Sequence, residues 1–218
     1  MCLNQLEFGS LLSYCPRGGS SEEIQRSRQI MRIIKNDSFV EEPPVLMSNW
    51  ISSTMGRRRS ELPFGSIFRS NSVLVPLPRS SLLQPDSLWV PERIAIALVR
   101  RGFGARVMPC LARTRAVRKS ATSQANQRPT PTEHFESLAV QGNLGSTENI
   151  VLIDDIVTRG HMMIGAANRL LEAFPSARIR AFAAMRTISN WMDFSHIYDP
   201  LIGWIEYREE SDDCLRRP

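Results

Sequence analysis

Asn149-Ile150-Val151-Leu152-Ile153-Asp154-Asp155-Ile156-Val157-Thr158-Arg159-Gly160 is the stretch whose reading decides the fold. Ile150 to Ile153 is an unbroken apolar run rich in β-branched residues, the pattern of a strand buried on both faces of a parallel sheet, and the adjacent aspartates are expected to end it. Beyond Gly160, residues Met163, Ala166, Ala167, Leu170 and Phe174 recur at the spacing of one helical face. Strand, acidic turn and helix therefore follow one another. In open α/β sheets that turn lies at the carboxyl edge, where ligands bind, and the unpaired N–H groups of a helix start suit a phosphate. Acidic residues also start ordinary helices well, so Asp-Asp alone would say little. The order of strand, carboxylates, glycine and helix makes the stretch a candidate site.

Working outward, Val73-Leu74-Val75 followed by Pro76-Leu77-Pro78-Arg79-Ser80 reads as a short buried strand that prolines halt abruptly. The loop's backbone amides could hold an anion, with Arg79 adding a charged hydrogen bond, although a rigid surface turn explains the segment equally well. Asp86 or Ser87 can cap the next helix, Pro91 is tolerated in its first turn, and Ile94, Ala95, Leu98 and Val99 form its apolar face. Arg100-Arg101-Gly102 is a stop signal, and Ala105 to Leu111 reads as the second strand. After the central helix, Ala177 to Met185 reads as another strand, with Ile179, Ala181, Ala183 and Met185 on one face. The alternation predicts an α/β class with a doubly wound, mostly parallel sheet.

The chain has 218 residues, 42% of them apolar, enough for one substantial core and too few for a second full domain. Residues 1–62 are expected to be an N-terminal helical extension and loop, and residues 63–218 the α/β domain. No apolar run approaches a membrane span and the N-terminus lacks a secretory pattern, so no membrane partner and a cytoplasmic location are expected. Cys2, Cys15, Cys110 and Cys214 lack the paired spacing of a metal knuckle and read as lone thiols. The net charge of +5, from 27 basic against 22 acidic residues, is a mild excess. Lys35 and Lys119 are the only lysines. Arginine offers a planar fork suited to phosphate, but a composition bias gives the same preference.

Near the N-terminus, Leu3 to Leu12 is a short apolar patch, and Ser20 with Glu23 fits a capping box. A helix carrying Ile24, Met31 and Ile34 should then end near Lys35. Asp37 to Pro63 reads as a loop anchored by Trp50 and Ile51, with Arg57-Arg58-Arg59 as a solvated surface run. Leu111 to Phe135 carries Arg113, Arg115, Arg118, Lys119 and Arg128 against the single acid Glu133, and reads as a long loop or small flap. A mobile basic flap can shield a multiply charged ligand from water, and a nucleic-acid surface is the competing reading, disfavoured by the scarcity of aromatics. His134 reads as an ordinary exposed histidine. The tail, Trp191 to Tyr207, either completes a hood or forms an oligomer contact.

Ile150 to Gly160 resembles the phosphoribosyl-pyrophosphate loop of type I phosphoribosyltransferases: an apolar strand, Asp-Asp, two variable residues, Thr-Thr-Gly and a further hydroxyl residue. The order of the flanking segments, from about Val73 to Met185, is most similar to the ComF-like branch. There Val75-Pro76-Leu77-Pro78 looks like a Val-Pro-x-Pro segment, and Arg113, Thr122, Gln124, Arg128 and Phe135 look like counterparts of the flap residues. The resemblance implies a type I phosphoribosyltransferase fold with a small flap or hood. It also implies that Asp154 and Asp155 accept hydrogen bonds from the ribose hydroxyls, directly or through water bound to Mg²⁺, with no direct protein ligand to that ion. Val157, Thr158, Arg159, Gly160, His161 and Met162 would cradle the 5′-phosphate, and Pro78, Arg79, Arg113, Gln124 and Arg128 would meet the pyrophosphate side. Two departures stand out. Arg159 replaces the second threonine, and Met162 replaces a small hydroxyl residue, losing a donor worth about 1 kcal/mol. The cysteine-rich zinc module frequent before the ComF-like core has no counterpart here, so no such metal role carries over.

Two functions compete. The first is transfer of phosphoribose from phosphoribosyl pyrophosphate to a nitrogen acceptor, with Mg²⁺ and release of pyrophosphate. The second is a non-catalytic nucleotide-sensing regulator or defence-system component, acting with nucleic acid or a partner protein through the basic flap, or as a homo-oligomer.

Overall fold

The computed structural model describes residues 1–40, 42–82, 86–118, 128–142 and 147–218. In chain order the elements are β1 (Gln5–Tyr14), α1 (Glu22–Asn36), β2 (Phe39–Val40), β3 (Val45–Leu46), α2 (Met47–Arg57), β4 (Val73–Pro76), α3 (Val90–Arg100), β5 (Arg106–Val107) and β6 (Leu111–Arg113). They continue with α4 (Pro131–Glu136), β7 (Leu138–Val140), β8 (Asn149–Val157), α5 (His161–Ala173), β9 (Arg178–Thr187), β10 (Tyr198–Arg208) and β11 (Asp213–Arg217).

The main sheet has seven strands in the order β11-β10-β1-β9-β8-β4-β5. Strands β1, β9, β8, β4 and β5 run parallel, whereas β10 is antiparallel to β1 and β11 antiparallel to β10. The class is therefore α/β with a mixed, mostly parallel sheet. Side chains alternate across it as the pleat requires. Ile150 and Leu152 of β8 pack with Met163, Ala166, Ala167 and Leu170 of α5. Val151 and Ile153 turn the other way, into a cluster with Ile51 and Met55 of α2 and Ile94 and Leu98 of α3. Leu170 is wholly buried, and burial of a side chain of that size contributes about 2 kcal/mol. A smaller sheet of β6 and β7, with α4, forms a hood beside α5. Gly165 makes that contact possible, because a Cβ there would meet the His134 side chain and the Pro131 carbonyl at 2.8 Å.

Several sequence expectations change. The patch Leu3 to Leu12 lies largely in β1, which sits between β10 and β9, so residues 1–62 are not a helical extension apart from the sheet. Leu6, Phe8, Leu11 and Leu12 are each at most 2% exposed, and only pairing on both edges can satisfy the backbone of so buried a segment. The cap of α1 is Ser21 rather than Ser20, its side chain accepting from Ile24 N. Helix α2 occupies part of the expected loop, burying Ile51 and Met55. The guanidinium of Arg58 stacks over Tyr198 and that of Arg59 over Phe103, so these arginines are packed rather than merely solvated. Trp89, not Asp86 or Ser87, precedes α3, and it offers no side-chain cap. The expected strand from Ala105 to Leu111 divides into β5, beside β4, and β6, in the hood. Strand β8 runs through both aspartates to Val157, because its pairing with β9 continues past Asp154 to Val157 opposite Arg186.

Candidate functional site

Asp154 and Asp155 lie near the carboxyl end of the central strand β8 and, being successive residues, project to opposite faces. Asp155 is buried and held on both carboxylate oxygens by Lys35 Nζ, each at 2.8 Å, from the last turn of α1. Among the described residues Asp154 has no cation of its own in its hydrogen bonds: Oδ1 accepts from Asp155 N at 2.8 Å. Burial raises its carboxyl well above the usual range, the neighbouring Asp155 carboxylate raises it further, and Lys35 offsets only part. Burial works against the Lys35 ammonium, yet the Asp155 and Asp154 carboxylates outweigh it and raise the lysine. Tyr14, at the end of β1, shares this neighbourhood: burial raises its phenol, while Lys35 and Arg128 act in the opposite direction.

Past Val157 the chain turns through exposed Thr158 and Arg159 into Gly160, which caps α5 at φ +95. Glycine is required there on two counts, since that φ disfavours side chains and a Cβ would meet Ile205 at 2.6 Å. The amino end of α5 therefore sits close above the sheet. Arg159 Nη1 reaches both oxygens of Asp213 at 3.1 Å, and His161 Nε2 lies 2.6 Å from Asp213 Oδ1. His161 Nδ1 faces the Pro129 carbonyl at 2.9 Å. Asp213 begins β11, and Arg216 of the same strand donates to the Thr158 carbonyl at 2.7 Å.

The other expected site residues separate. Pro78 is buried just beyond β4, and exposed Arg79 donates to the Leu88 carbonyl at 3.2 Å. Arg113 is buried, donating to Ser137 Oγ, to the Arg79 carbonyl at 3.1 Å and to Met162 Sδ at 2.9 Å, and facing His134 Nδ1 at 2.9 Å. Burial lowers the Arg113 guanidinium to about 10. Met162 thus serves as an acceptor inside the hood. His134 is buried rather than exposed, and burial first, then the charges of Arg113 and His161, lower its imidazole to about 3. Arg128 lines a cavity of about 380 Å³ with Arg115, Arg118 and Thr130, and among the described residues its Nε has no partner. Gln124 and Thr122 lie outside the described residues.

A second cavity, of about 430 Å³, opens between Arg69, Asn149, Ser176 and Arg178 at the opposite, amino edge of the sheet. Neither cavity is lined by Asp154 or Asp155. Among the described residues no group of three or more His, Cys, Asp or Glu is placed to hold a metal ion. The acid pair still suits a hard cation that keeps most of its water: Asp154 supplies carboxylate oxygens, and a nearby positive charge would offset the burial that raises its carboxyl. Sequence reading missed Lys35, Tyr14, Asp213 and Arg216 as members of this edge. Only Lys35 carried a signal, as one of two lysines in an arginine-dominated chain.

No protein-family model matches the chain, and no curated protein matches it. A solved structure of a hypoxanthine phosphoribosyltransferase from Staphylococcus aureus is similar over 76% of this chain and 89% of that chain, at 12% identity and a TM-score of 0.37. Likeness at that level carries no functional information. Among the described residues no helix is long and apolar enough to cross a membrane.

Proposed function

We propose that the carboxyl edge of β8 binds phosphoribosyl pyrophosphate with Mg²⁺, and that the protein is a type I phosphoribosyltransferase-like protein of the ComF-like kind. One observation carries this: two carboxylates on a buried central strand lead, through Thr158-Arg159-Gly160, directly into the amino end of α5. Asp154 would accept hydrogen bonds from the ribose hydroxyls, directly or through Mg²⁺-bound water. Asp155, fixed by Lys35, orients the turn. The Thr158 hydroxyl and the first N–H groups of α5 would receive the 5′-phosphate, a geometry helix starts favour. Arg128, which lines one cavity with Arg115 and Arg118, would offer positive charge to the departing pyrophosphate. Mg²⁺ would supply charge neutralisation of the pyrophosphate, and a nitrogen acceptor would take the phosphoribose.

The test is thermal denaturation with Mg²⁺ and phosphoribosyl pyrophosphate. Ligand at a hundred times its Kd should add about 2.7 kcal/mol of stability, and Asp154→Asn should remove the gain. An unmoved midpoint at roughly millimolar ligand would sink the proposal.

A second reading, a nucleotide sensor without turnover that acts with nucleic acid or a partner protein, is favoured by the Lys35 clamp on Asp155 and by the Asp213 contacts of Arg159 and His161. Ligand binding with no pyrophosphate release across candidate bases would select it over the transferase.

A further inference from the structure

Resting on the reading of this loop as a phosphate-ester site, we infer that Asp213 is a built-in anion on the loop and sets its affinity for phosphate esters. The two side chains of the turn that can donate to an anion, Arg159 and His161, are both engaged by this one carboxylate, which the chain supplies from β11 more than fifty positions downstream. Asp213 Oδ1 takes both, Nη1 of Arg159 at 3.1 Å and Nε2 of His161 at 2.6 Å, while Oδ2 lies 3.1 Å from the same Nη1. Two oxygens on one carbon, held between a guanidinium and an imidazole, occupy the donors that a phosphate would ask of those side chains.

The strand is tied on at several further points. Cys214 N lies 3.4 Å from His161 Nε2, and Arg216 donates to the Thr158 carbonyl at 2.7 Å and also to the Thr187 carbonyl. Strand β11 in turn pairs antiparallel with β10 from Asp213 opposite Arg208 to Arg217 opposite Trp204. An incoming phosphate therefore meets a carboxylate already seated on its donors. It must either displace that carboxylate or lie beside a like charge, and both weaken binding. The Asp213 side chain is 37% exposed, so it can swing toward water without unfolding the strand behind it.

The test measures binding of ribose 5-phosphate, without metal, to the full chain by calorimetry. Asp213→Asn keeps the shape of the side chain and removes its charge, and is expected to bind about ten-fold more tightly than the parent protein. Asp213→Glu keeps the charge and should stay near the parent, a distinction that a purely structural role would not produce. Asp213→Ser serves as a second neutral variant should Asp213→Asn fold poorly. Equal affinity of parent and neutral variants, or weaker binding by the neutral ones, overturns the role of Asp213 and leaves the phosphate site standing. No binding by any variant at roughly millimolar ligand overturns the site and the role together.

Discussion

Arg113 in the hood is buried and Asp154 at the edge of the sheet half-buried, both are ionisable, and their surroundings differ. Arg113 is ringed by acceptors: the Arg79 carbonyl, Ser137, His134 and Met162. Asp154 instead shares one lysine with a second carboxylate, and its carboxyl is raised rather than satisfied. The first is how a protein buries charge for architecture; the second leaves a charge wanting a cation or a donor, as ligand sites do.

That contrast can be broken by substitution. Arg113→Ala strips the hood of its central donor and leaves Ser137 and His134 facing a void, so urea denaturation should show a loss of about 3 kcal/mol. A loss below about 1 kcal/mol would mean the arginine is no keystone and would return it to the list of ligand arms. Next comes pH. Because burial lowers His134 to about 3 from an ordinary 6.5, its neutral form is present in both states above 6.5. Between those values the unfolded chain binds a proton that the folded chain refuses, so stability falls with falling pH. The slope is about 1.4 kcal/mol per pH unit from this group. Comparing the pH profiles of the parent protein and His134→Asn isolates it; an unchanged slope would deny that the imidazole is buried neutral.

The smallest expected effect has the opposite sign. A raised carboxyl destabilises the fold as pH rises through its folded value, so Asp154→Asn should gain about 1 kcal/mol near neutral pH. The gain should vanish in acid, where both states hold the proton. Loss of stability at neutral pH would show that Asp154 is satisfied in the free protein and would weaken the ligand-site reading.

The buried strand, the acid pair and the α5 stripe were all legible, because a both-face apolar run and a 3.6-residue period are local patterns. Lys35, Tyr14 and Asp213 were not. Lys35 meets Asp155 across 120 positions, and His161 meets Asp213 across 52. Arg113 shows the same limit from the other side: its residue type suited a ligand arm, but what surrounds a guanidinium decides whether it is free to act. In the sequence strand β1 shows only as an apolar patch, since its partners, β9 and β10, come from the far end of the chain.

By itself, then, the sequence determined the α/β class, the central strand and the place where two carboxylates meet a helix start, all written within a few neighbouring residues. Tertiary structure alone decided which polar groups were already matched: Asp155 by Lys35, Arg159 and His161 by Asp213, and Arg113 by the hood. The reason is physical. Hydrophobic periodicity is set by neighbours along the chain, whereas the electrostatic state of a side chain is set by whatever folding brings within a few ångströms of it.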